Sequence, residues 1–497
     1  MKILVVSSEV VPFAKTGGLA DVCGALPVAL QRAGHEVVVF MPGYRVARDA
    51  GLPIEETDVQ LEVPVGEQMV SGRLMKSHLP NSDVVVYLAG QNDYFDRPGL
   101  YQNEGQDYPD NCSRFVFFCR FVLESLAQLG WRPDLVHCND WHTGLIPAYL
   151  RTLYAEHELW RDTPTLMTIH NLAYQGSYPA DRMPLTGLDW EYFNWRQMEF
   201  HEHLNLLKTG IVFADAVSTV SPRYAMEIQT AEQGHGLDAV LRSRRNDLTG
   251  VLNGIDIDVW NPKTDPHLAT NYDAETWLEC KPACKADLQQ RLGMTVNADA
   301  PLIGVIGRMT AQKGWELIIE VMQRWLGHIG AQWVVLGTGD AGFQDSLRQL
   351  KERFPDQLGL ELGFSDPLAH QIEAGADLFL MPSRFEPCGL NQQYSMRYGT
   401  VPVVHETGGL ADTVVNLSEA TLQSRTANGF SFDHYDAGAL DQSLMRGVNT
   451  MIHDKLIWRQ MIETGMRQDW SWSASASRYV QLYELIRQSR SAPPQPA

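Results

Sequence analysis

The sequence predicts an α/β protein of two doubly wound domains, each a parallel sheet with helices on both faces, whose polar rims face each other across a deep cleft. Three observations predict this. At 497 residues the chain is too long for one ordinary core. Short apolar runs alternate with stretches of helical periodicity in both halves. The word Gly-Gly-Leu-Ala-Asp occurs twice, at 17–21 and 408–412, each time between an apolar run and a helical pattern.

In the first half, strands are expected at Lys2–Ser7, Glu36–Phe40, Asp134–Cys138, Thr165–His170 and Ala216–Val220. Leu19, Val22, Cys23, Leu26 and Leu30 have helical spacing after the first strand, as do the segments 142–153 and 204–213. Apolar strands flanked by helices imply a parallel sheet buried on both faces. Val59–Val65 and Val84–Leu88 break this rhythm and suggest antiparallel hairpins at an edge. The second half repeats the series, with strands at Leu302–Ile306, Trp333–Leu336, Gly359–Gly363, Asp377–Met381 and Val401–Val404. Helical patterns run from Trp315 to Trp325 and from Phe343 to Phe354. Residues 253–300 are rich in Asn, Asp and Pro and read as linker and peripheral structure. The expected division is 1–250 and 251–473, with a last helix over 474–490 packing back on the first domain and a disordered tail at 491–497.

Ligands of such sheets sit beyond the carboxyl ends of the strands, so the residues just after each strand are informative. In the first half these are Lys15-Thr16-Gly17-Gly18, then Asn139-Asp140-Trp141-His142, then His170-Asn171. The two glycines permit positive φ and close approach of a ligand. The amides opening the following helix favour an anion, and Lys15 adds a full charge. In the second half they are Gly307-Arg308 with Lys313, then Arg384-Phe385-Glu386-Pro387-Cys388-Gly389, then Thr407-Gly408-Gly409-Leu410. Arg308 and Lys313 suit a diphosphate, one as a planar fork and the other as a mobile point charge. Glu386 lies among prolines, a cysteine and a glycine, and suits the hydroxyls of a sugar. Each feature alone has a plainer reading: a solvated charge at Arg308 and Lys313, or a helix-end acid at Glu386.

Composition narrows the classes. A net charge of −20 argues against nucleic acid or an anionic membrane as partner. No apolar run reaches the length of a membrane span, and the N-terminus is too short and too polar for a signal peptide. Seven scattered cysteines offer neither zinc spacing nor a disulfide framework, and point to a reducing cytoplasm. His201-Glu202-His203 reads as solvated rather than as a metal site. The dinucleotide fingerprint, the Walker loop and the hydrolase serine elbow are all absent.

Taken together, the motifs resemble those of bacterial glycogen synthases and plant starch synthases. The matching words are 15–22, 139–145, 168–171, 251–256, Gly307-Arg308 with 312–314, 382–390 and 407–414. The resemblance implies the GT-B architecture of two Rossmann-like domains and transfer of glucose from ADP-glucose with retention of configuration. The acceptor it implies is the 4-hydroxyl at the non-reducing end of glycogen or another α-1,4-glucan. It implies no cofactor and no metal. Lys15, with Gly18 beside it, resembles the lysine that contacts the donor. Arg308 and Lys313 resemble the pair neutralising the leaving diphosphate, and Glu386 the acid holding the glucose hydroxyls. His170 resembles the histidine at the donor sugar. Asp21, Asp140, Asn171, Asn253 and Thr407, Gly408, Gly409 and Leu410 are further substrate contacts by the same match. Phe364 stands where a tyrosine stacking on adenine is often found, and stacking survives loss of the hydroxyl. Tyr94–Gly99 and Tyr101 resemble an acceptor-side segment, for which a core role is equally open. The weighed alternatives are a transferase of this fold using UDP-glucose or a small-sugar acceptor, and a non-catalytic glucan-binding protein. The sequence leaves the oligomeric state open.

Overall fold

A computed structural model describes residues 1–491. The chain divides into two compact units. The first holds Met1–Val220, Ala225–Gly254 and the segment from Trp472 on; the second holds Ser221–Tyr224 and Ile255–Ser471. Apart from Ser491, which ends the last helix, the expected tail lies outside the described residues. No helix among the described residues is long and apolar enough to cross a membrane.

The first unit is built on one sheet of β1 Lys2–Val6, β2 Glu36–Pro42, β3 Glu55–Val65, β4 Gln68–His78, β5 Val85–Gly90, β6 Leu135–Asn139, β7 Thr165–Ile169, β8 Ala216–Thr219 and β9 Leu248–Gly250. Its order is β9-β8-β7-β6-β1-β2-β5-β4-β3. Pairings from β9 through to β5 are parallel, so both faces must be covered, and β1 buries every residue after Lys2. The expected antiparallel edge is present, since β4 pairs antiparallel with both β3 and β5, and it departs from expectation in one respect. β5 pairs parallel with β2 inside the sheet, and the hairpin at the edge is made by β3 and β4. The strand 68–78 escapes a reading by alternation partly because of Gly72. A Cβ there would lie 2.6 Å from the Phe117 ring, so the helix Asn111–Leu129 packs its phenylalanines directly on the backbone.

The closing helix Trp472–Ser491 packs on the helix Gly18–Arg32 and on β7. Its Tyr483 hydroxyl meets His137 Nδ1 at 2.9 Å, and His137 Nε2 meets Thr168 Oγ1 at 2.6 Å. Thr168 continues to Ser218 Oγ at 2.6 Å, so a buried polar chain crosses β6, β7 and β8. Burial lowers the His137 pKa to about 3, so the ring is neutral. Near the end of the helix, Arg490 pairs with Asp215 at 3.1 Å.

The second unit has a fully parallel sheet of β10 Leu302–Ile306, β11 Gln332–Gly337, β12 Leu358–Leu362, β13 Leu378–Met381, β14 Val401–His405 and β15 Phe430–Phe432, in the order β12-β11-β10-β13-β14-β15. The stretch expected as linker contains a 15-residue helix, Trp277–Arg291. Its inward positions include Lys281, Lys285 and Gln289, four residues apart and all buried. The polar ends of these side chains bond to backbone carbonyls, which removes the apolar periodicity a helix normally shows.

Each sheet reverses its strand order once near its centre, at β1 beside β6 and at β10 beside β13. Loops leaving such neighbours diverge and open a crevice at the carboxyl ends of the strands. The loops after β1 and β6, and after β10 and β13, carry the residues singled out by sequence. Both units are Rossmann-like in this sense.

Tyr483→Phe should lower unfolding free energy by about 1–3 kcal/mol, because His137 Nδ1 loses its hydrogen-bond partner while staying buried. Urea denaturation monitored by tryptophan fluorescence measures this, and a cost near zero would mean that the closing helix docks without the bond.

Candidate active site

In the first unit the loop after β1 is organised by a residue that sequence reasoning passed over. Glu9 is 3% exposed. Its carboxylate accepts from the Thr16 amide at 2.5 Å, the Thr16 hydroxyl at 2.6 Å, the Gly17 amide at 3.2 Å and the Tyr101 hydroxyl at 2.8 Å. Two amides expected to face an anion are thus engaged inside the protein. Those of Gly18 and Leu19, the first of the helix, have no partner among the described residues. Gly17 is extended, with φ −156°, and neither glycine takes positive φ, against expectation; the Glu9 bonds hold the loop straight into the helix. A Cβ at Gly17 or Gly18 would meet nothing within 4 Å. The protein itself therefore does not require glycine there, whereas close approach of a ligand would. Lys15 is half-exposed and pairs with Asp21 at 2.7 Å. Tyr101, read as acceptor-side, has its ring stacked on His142 at 4.6 Å, and Phe95 is buried, so both serve the core.

At the ends of β6 and β7 lie Asp140 and His170. Asp140 has φ 56° and ψ 179°, a conformation costing of order 1–3 kcal/mol for a residue with a side chain. The gain is a carboxylate aimed back at the neighbouring loop, where it accepts from the His170 amide at 2.7 Å and from the Asn171 amide. Burial still raises the Asp140 pKa to about 7. The His170 ring meets Asn139 Oδ1 through Nε2 at 2.9 Å. Because the Asn139 amide nitrogen donates to the carbonyls of Val6 and His137, its oxygen is the acceptor and His170 carries its proton on Nε2. Burial lowers the His170 pKa to about 3, so the ring is neutral. Asn253 is buried in the segment after β9, and the Ser475 hydroxyl donates to the adjacent Leu252 carbonyl at 2.6 Å.

In the second unit the structure brings Lys313 and Glu386 together, with Nζ 2.6 Å from Oε2. The Ser383 hydroxyl donates to the same oxygen at 2.9 Å. The Arg384 amide donates to the Gln312 carbonyl at 2.8 Å, binding the two loops beside the pair. Gly314 follows Lys313 with φ +75°, and a Cβ there would sit 2.2 Å from the Pro382 carbonyl. Only glycine allows this approach. Arg308 is exposed, without an ion pair among the described residues. Phe364 is 91% exposed at the end of the neighbouring strand, a position open for stacking.

The second Gly-Gly-Leu-Ala-Asp word behaves unlike the first. A Cβ at Gly408 or Gly409 would collide with the carbonyls of Glu386 or Cys388 near 2 Å. Here the glycines let the short helix Gly408–Thr413 lie on the Glu386 loop. The Gly409 amide donates to the Glu386 carbonyl at 3.0 Å and the Leu410 amide to Thr407 at 3.1 Å, so these expected anion donors are engaged inside the protein. His405 bonds to the Ser383 carbonyl at 2.7 Å and braces the same loop. His201-Glu202-His203 sits in an exposed turn, and no group of three or more His, Cys, Asp or Glu among the described residues could hold a metal.

Comparisons with known proteins agree along the whole chain. Residues 2–243 match the family described as starch synthase catalytic domain, and 291–468 that described as glycosyl transferases group 1. A glycogen synthase of Rhodopirellula baltica is 46% identical over 493 residues, 97% of either chain. Glycogen synthase 2 of Geobacter sulfurreducens is 45% identical over 490 residues, covering 99% of this chain and all of that one. Among solved structures, the catalytic domain of starch synthase IV from Arabidopsis thaliana, bound to ADP and acarbose, superposes with a TM-score of 0.90 at 33% identity, over 98% of this chain and 99% of that one.

Two predictions test the geometry. Glu9→Gln puts an amide NH₂ among four donors, so backbone exchange at Thr16 and Gly17 should quicken by about 10-fold or more. Hydrogen-exchange mass spectrometry of the loop measures it, and unchanged protection would refute the role given to Glu9. The second concerns pH. The native Asp140 acid holds its proton up to about pH 7, so the stability it contributes is full below the unfolded value near 4 and is lost as pH rises through 7. Neutral His170 does the opposite: its contribution is full above about 6.5 and is lost as pH falls toward 3. Asp140→Asn removes the first effect only. Unfolding free energy of this variant should therefore climb more steeply with pH than the wild type's between about 4 and 6.5; equal slopes in urea titrations would mean that Asp140 titrates as an ordinary carboxyl.

Proposed function

The chain belongs to the glycogen and starch synthase family, and we propose that it transfers glucose from ADP-glucose to the non-reducing-end 4-hydroxyl of an α-1,4-glucan such as glycogen, with retention of configuration. What carries the reading to individual residues is the Lys313–Glu386 pair, with Arg308 in the same connection as Lys313, at the strand reversal of the second sheet. A nucleotide-sugar donor needs cations at its diphosphate and an acceptor of hydrogen bonds at its sugar, and this pair offers both within 2.6 Å.

Breaking the bond between glucose and the β-phosphate leaves negative charge on the departing ADP. Arg308 and Lys313 stabilise that charge where it develops, which lowers the barrier. Lys313 shares its ammonium between the diphosphate and Glu386, while the remaining lone pairs of Glu386 receive the glucose hydroxyls. In the first unit, Lys15 and the Gly18 and Leu19 amides are the proposed donors to a phosphate. His170 is neutral and oriented by Asn139 and Asp140, so it can meet the glucosyl group as a hydrogen-bonding partner without adding charge. The remaining polar loop residues, Asp21, Asn171, Asn253 and Thr407, are proposed substrate contacts, and Phe364 is the proposed face for the adenine.

Retention by double displacement needs a carboxylate nucleophile and a second carboxyl about 5 Å away. Asp140 is committed to two backbone amides and Glu386 to Lys313 and Ser383. We therefore favour departure and attack on the same face of the sugar, through an ion-pair-like transition state. In this scheme the leaving phosphate takes up the proton of the attacking 4-hydroxyl. The first unit, with its closing helix, is assigned to the acceptor and the glucosyl group, and the second unit to the nucleotide. All seven cysteines are free, which suits the proposed cytoplasmic location.

With radiolabelled ADP-glucose and UDP-glucose supplied in parallel and glycogen as acceptor, label should enter polymer mainly from the ADP donor. Incorporation from neither would overturn the activity, and preference for UDP would move the donor assignment. Lys313→Ala should reduce kcat by about 100-fold or more while glycogen still binds. Near-normal turnover would refute the phosphate role.

A further inference from the structure

At the opposite, amino-terminal end of the second unit's strands lies a cavity of about 310 Å³, remote in the fold from the loops described above. It is lined by the helix Trp277–Arg291, by the helix Lys455–Arg467, and by Gly375 and Asp377 just before β13. Its walls carry two indoles, Trp277 and Trp458, and four cations, Lys281, Lys285, Lys455 and Arg459, against a single carboxylate, Asp377. Such a local excess of positive charge stands out in a chain whose net charge is −20.

The four cations play different parts. Lys285 is buried and pairs with Asp377 at 2.7 Å, which accounts for the one carboxylate. Lys281 is 6% exposed and donates to the Ala374 and Tyr398 carbonyls and to Thr400 Oγ1, all oxygens without full charge. The nearby Glu373 carboxyl is fully buried, and burial pushes its pKa well above the usual carboxylate range. The Lys281 ammonium sits in the floor without a direct ion pair among the described residues; Asp377 and Glu373 act on it only at longer range, and burial outweighs them and depresses its pKa to about 8. Lys455 and Arg459 lie one helical turn apart at the rim, both exposed, and neither has an ion pair or hydrogen bond among the described residues.

We propose that this cavity is a binding site for a small phosphorylated metabolite, its phosphate held between Lys455 and Arg459 and its body seated against Trp277 and Trp458 above Lys281. Arg supplies a fork and Lys a point charge for the phosphate oxygens, and both are preorganised by one helix. The two indoles and the methylene stems of the lysines suit a ring rather than bare phosphate. The volume lies at the lower end of small-molecule sites and fits one ring with its phosphate. An anion above the floor would also place a counter-charge over Lys281, whose own direct partners are uncharged oxygens. Since the cavity touches none of the loops assigned to catalysis, its occupant would act on the second unit's stability or state and not by competing with the donor.

The test uses phenyl phosphate, inorganic phosphate and phenol as probes, in an Arg308→Gln/Lys313→Gln background that removes the other phosphate-binding cations of this unit. Calorimetric titration should show phenyl phosphate binding at least about 10-fold more tightly than inorganic phosphate, with no binding of phenol, and melting temperature should rise with phenyl phosphate. Adding Lys455→Gln and Arg459→Gln, both on an exposed helix face, should weaken binding at least about 10-fold and abolish the thermal shift. The same two changes in the otherwise native chain should leave basal turnover unchanged. Binding that survives them, or no binding of any phosphate probe, would overturn the proposal. Inorganic phosphate binding as tightly as phenyl phosphate would overturn the role given to the indoles.

Discussion

Much of the first unit's chemistry depends on where one buried carboxylate points. A strand that ends at a sheet's reversal point delivers its chain into a crevice with no neighbouring strand to follow, so something else must fix the path. Glu9 does this with four short hydrogen bonds, two of them to consecutive amides. The loop arrives extended, the helix begins at Gly18, and its first two unpartnered amides are presented together. Without that anchor the same glycines would make the loop the floppiest part of the rim. Tyr101 shares the anchor, so the segment following β5 is tied to the same carboxylate, and its ring in turn holds His142 beside Trp141.

The second unit solves the same topological problem with backbone packing. Gly314, Gly408 and Gly409 are all positions where a Cβ would strike a carbonyl of the loop 382–388. Two chain segments thus close on the Glu386 loop at distances only glycine tolerates, and one of them delivers Lys313 onto Glu386. The repeated word therefore has two physical meanings. In the first unit the glycines leave space the protein does not fill; in the second they remove space the protein needs.

The sequence reading recovered the parallel strands and the rim because buried parallel strands are short, continuous and apolar, and the residues after them stand out as polar. β10 and the helix Trp315–Trp325 agree with it to the residue. It missed what depends on tertiary partners. Strand 68–78 carries Gly72 where phenylalanines press on the backbone, and β15 is only three residues long. The helix Trp277–Arg291 is invisible to periodicity because lysines replace apolar residues on its inner face. Within the site, the polar loop residues were legible one at a time, whereas the Lys313–Glu386 pair and the engagement of the Gly409 amide by Glu386 were not. Glu9 looked like an ordinary acid near the N-terminus; the one signal available was an acid directly after two serines at the end of a buried strand.

Charge is distributed so that the reaction centre does not inherit the character of the whole chain. A protein of net charge −20 repels an anionic donor at long range, and that repulsion fades over about 8 Å at physiological ionic strength. Attraction must then come from a few groups acting at contact. In the first unit, burial keeps His137, His142 and His170 neutral and moves Asp140 toward neutrality, so charge there is confined chiefly to Glu9 and the Lys15–Asp21 pair. In the second, Arg308 stands exposed in the same connection as a lysine that is already compensated. A donor brings negative phosphate and neutral sugar at once. In the site proposed for the second unit, the lysine-glutamate pair can divide between the two. Such a site gains most where negative charge grows at the phosphate during bond breaking, because Lys313 can then shift its hydrogen bonds away from Glu386 without either partner being left alone.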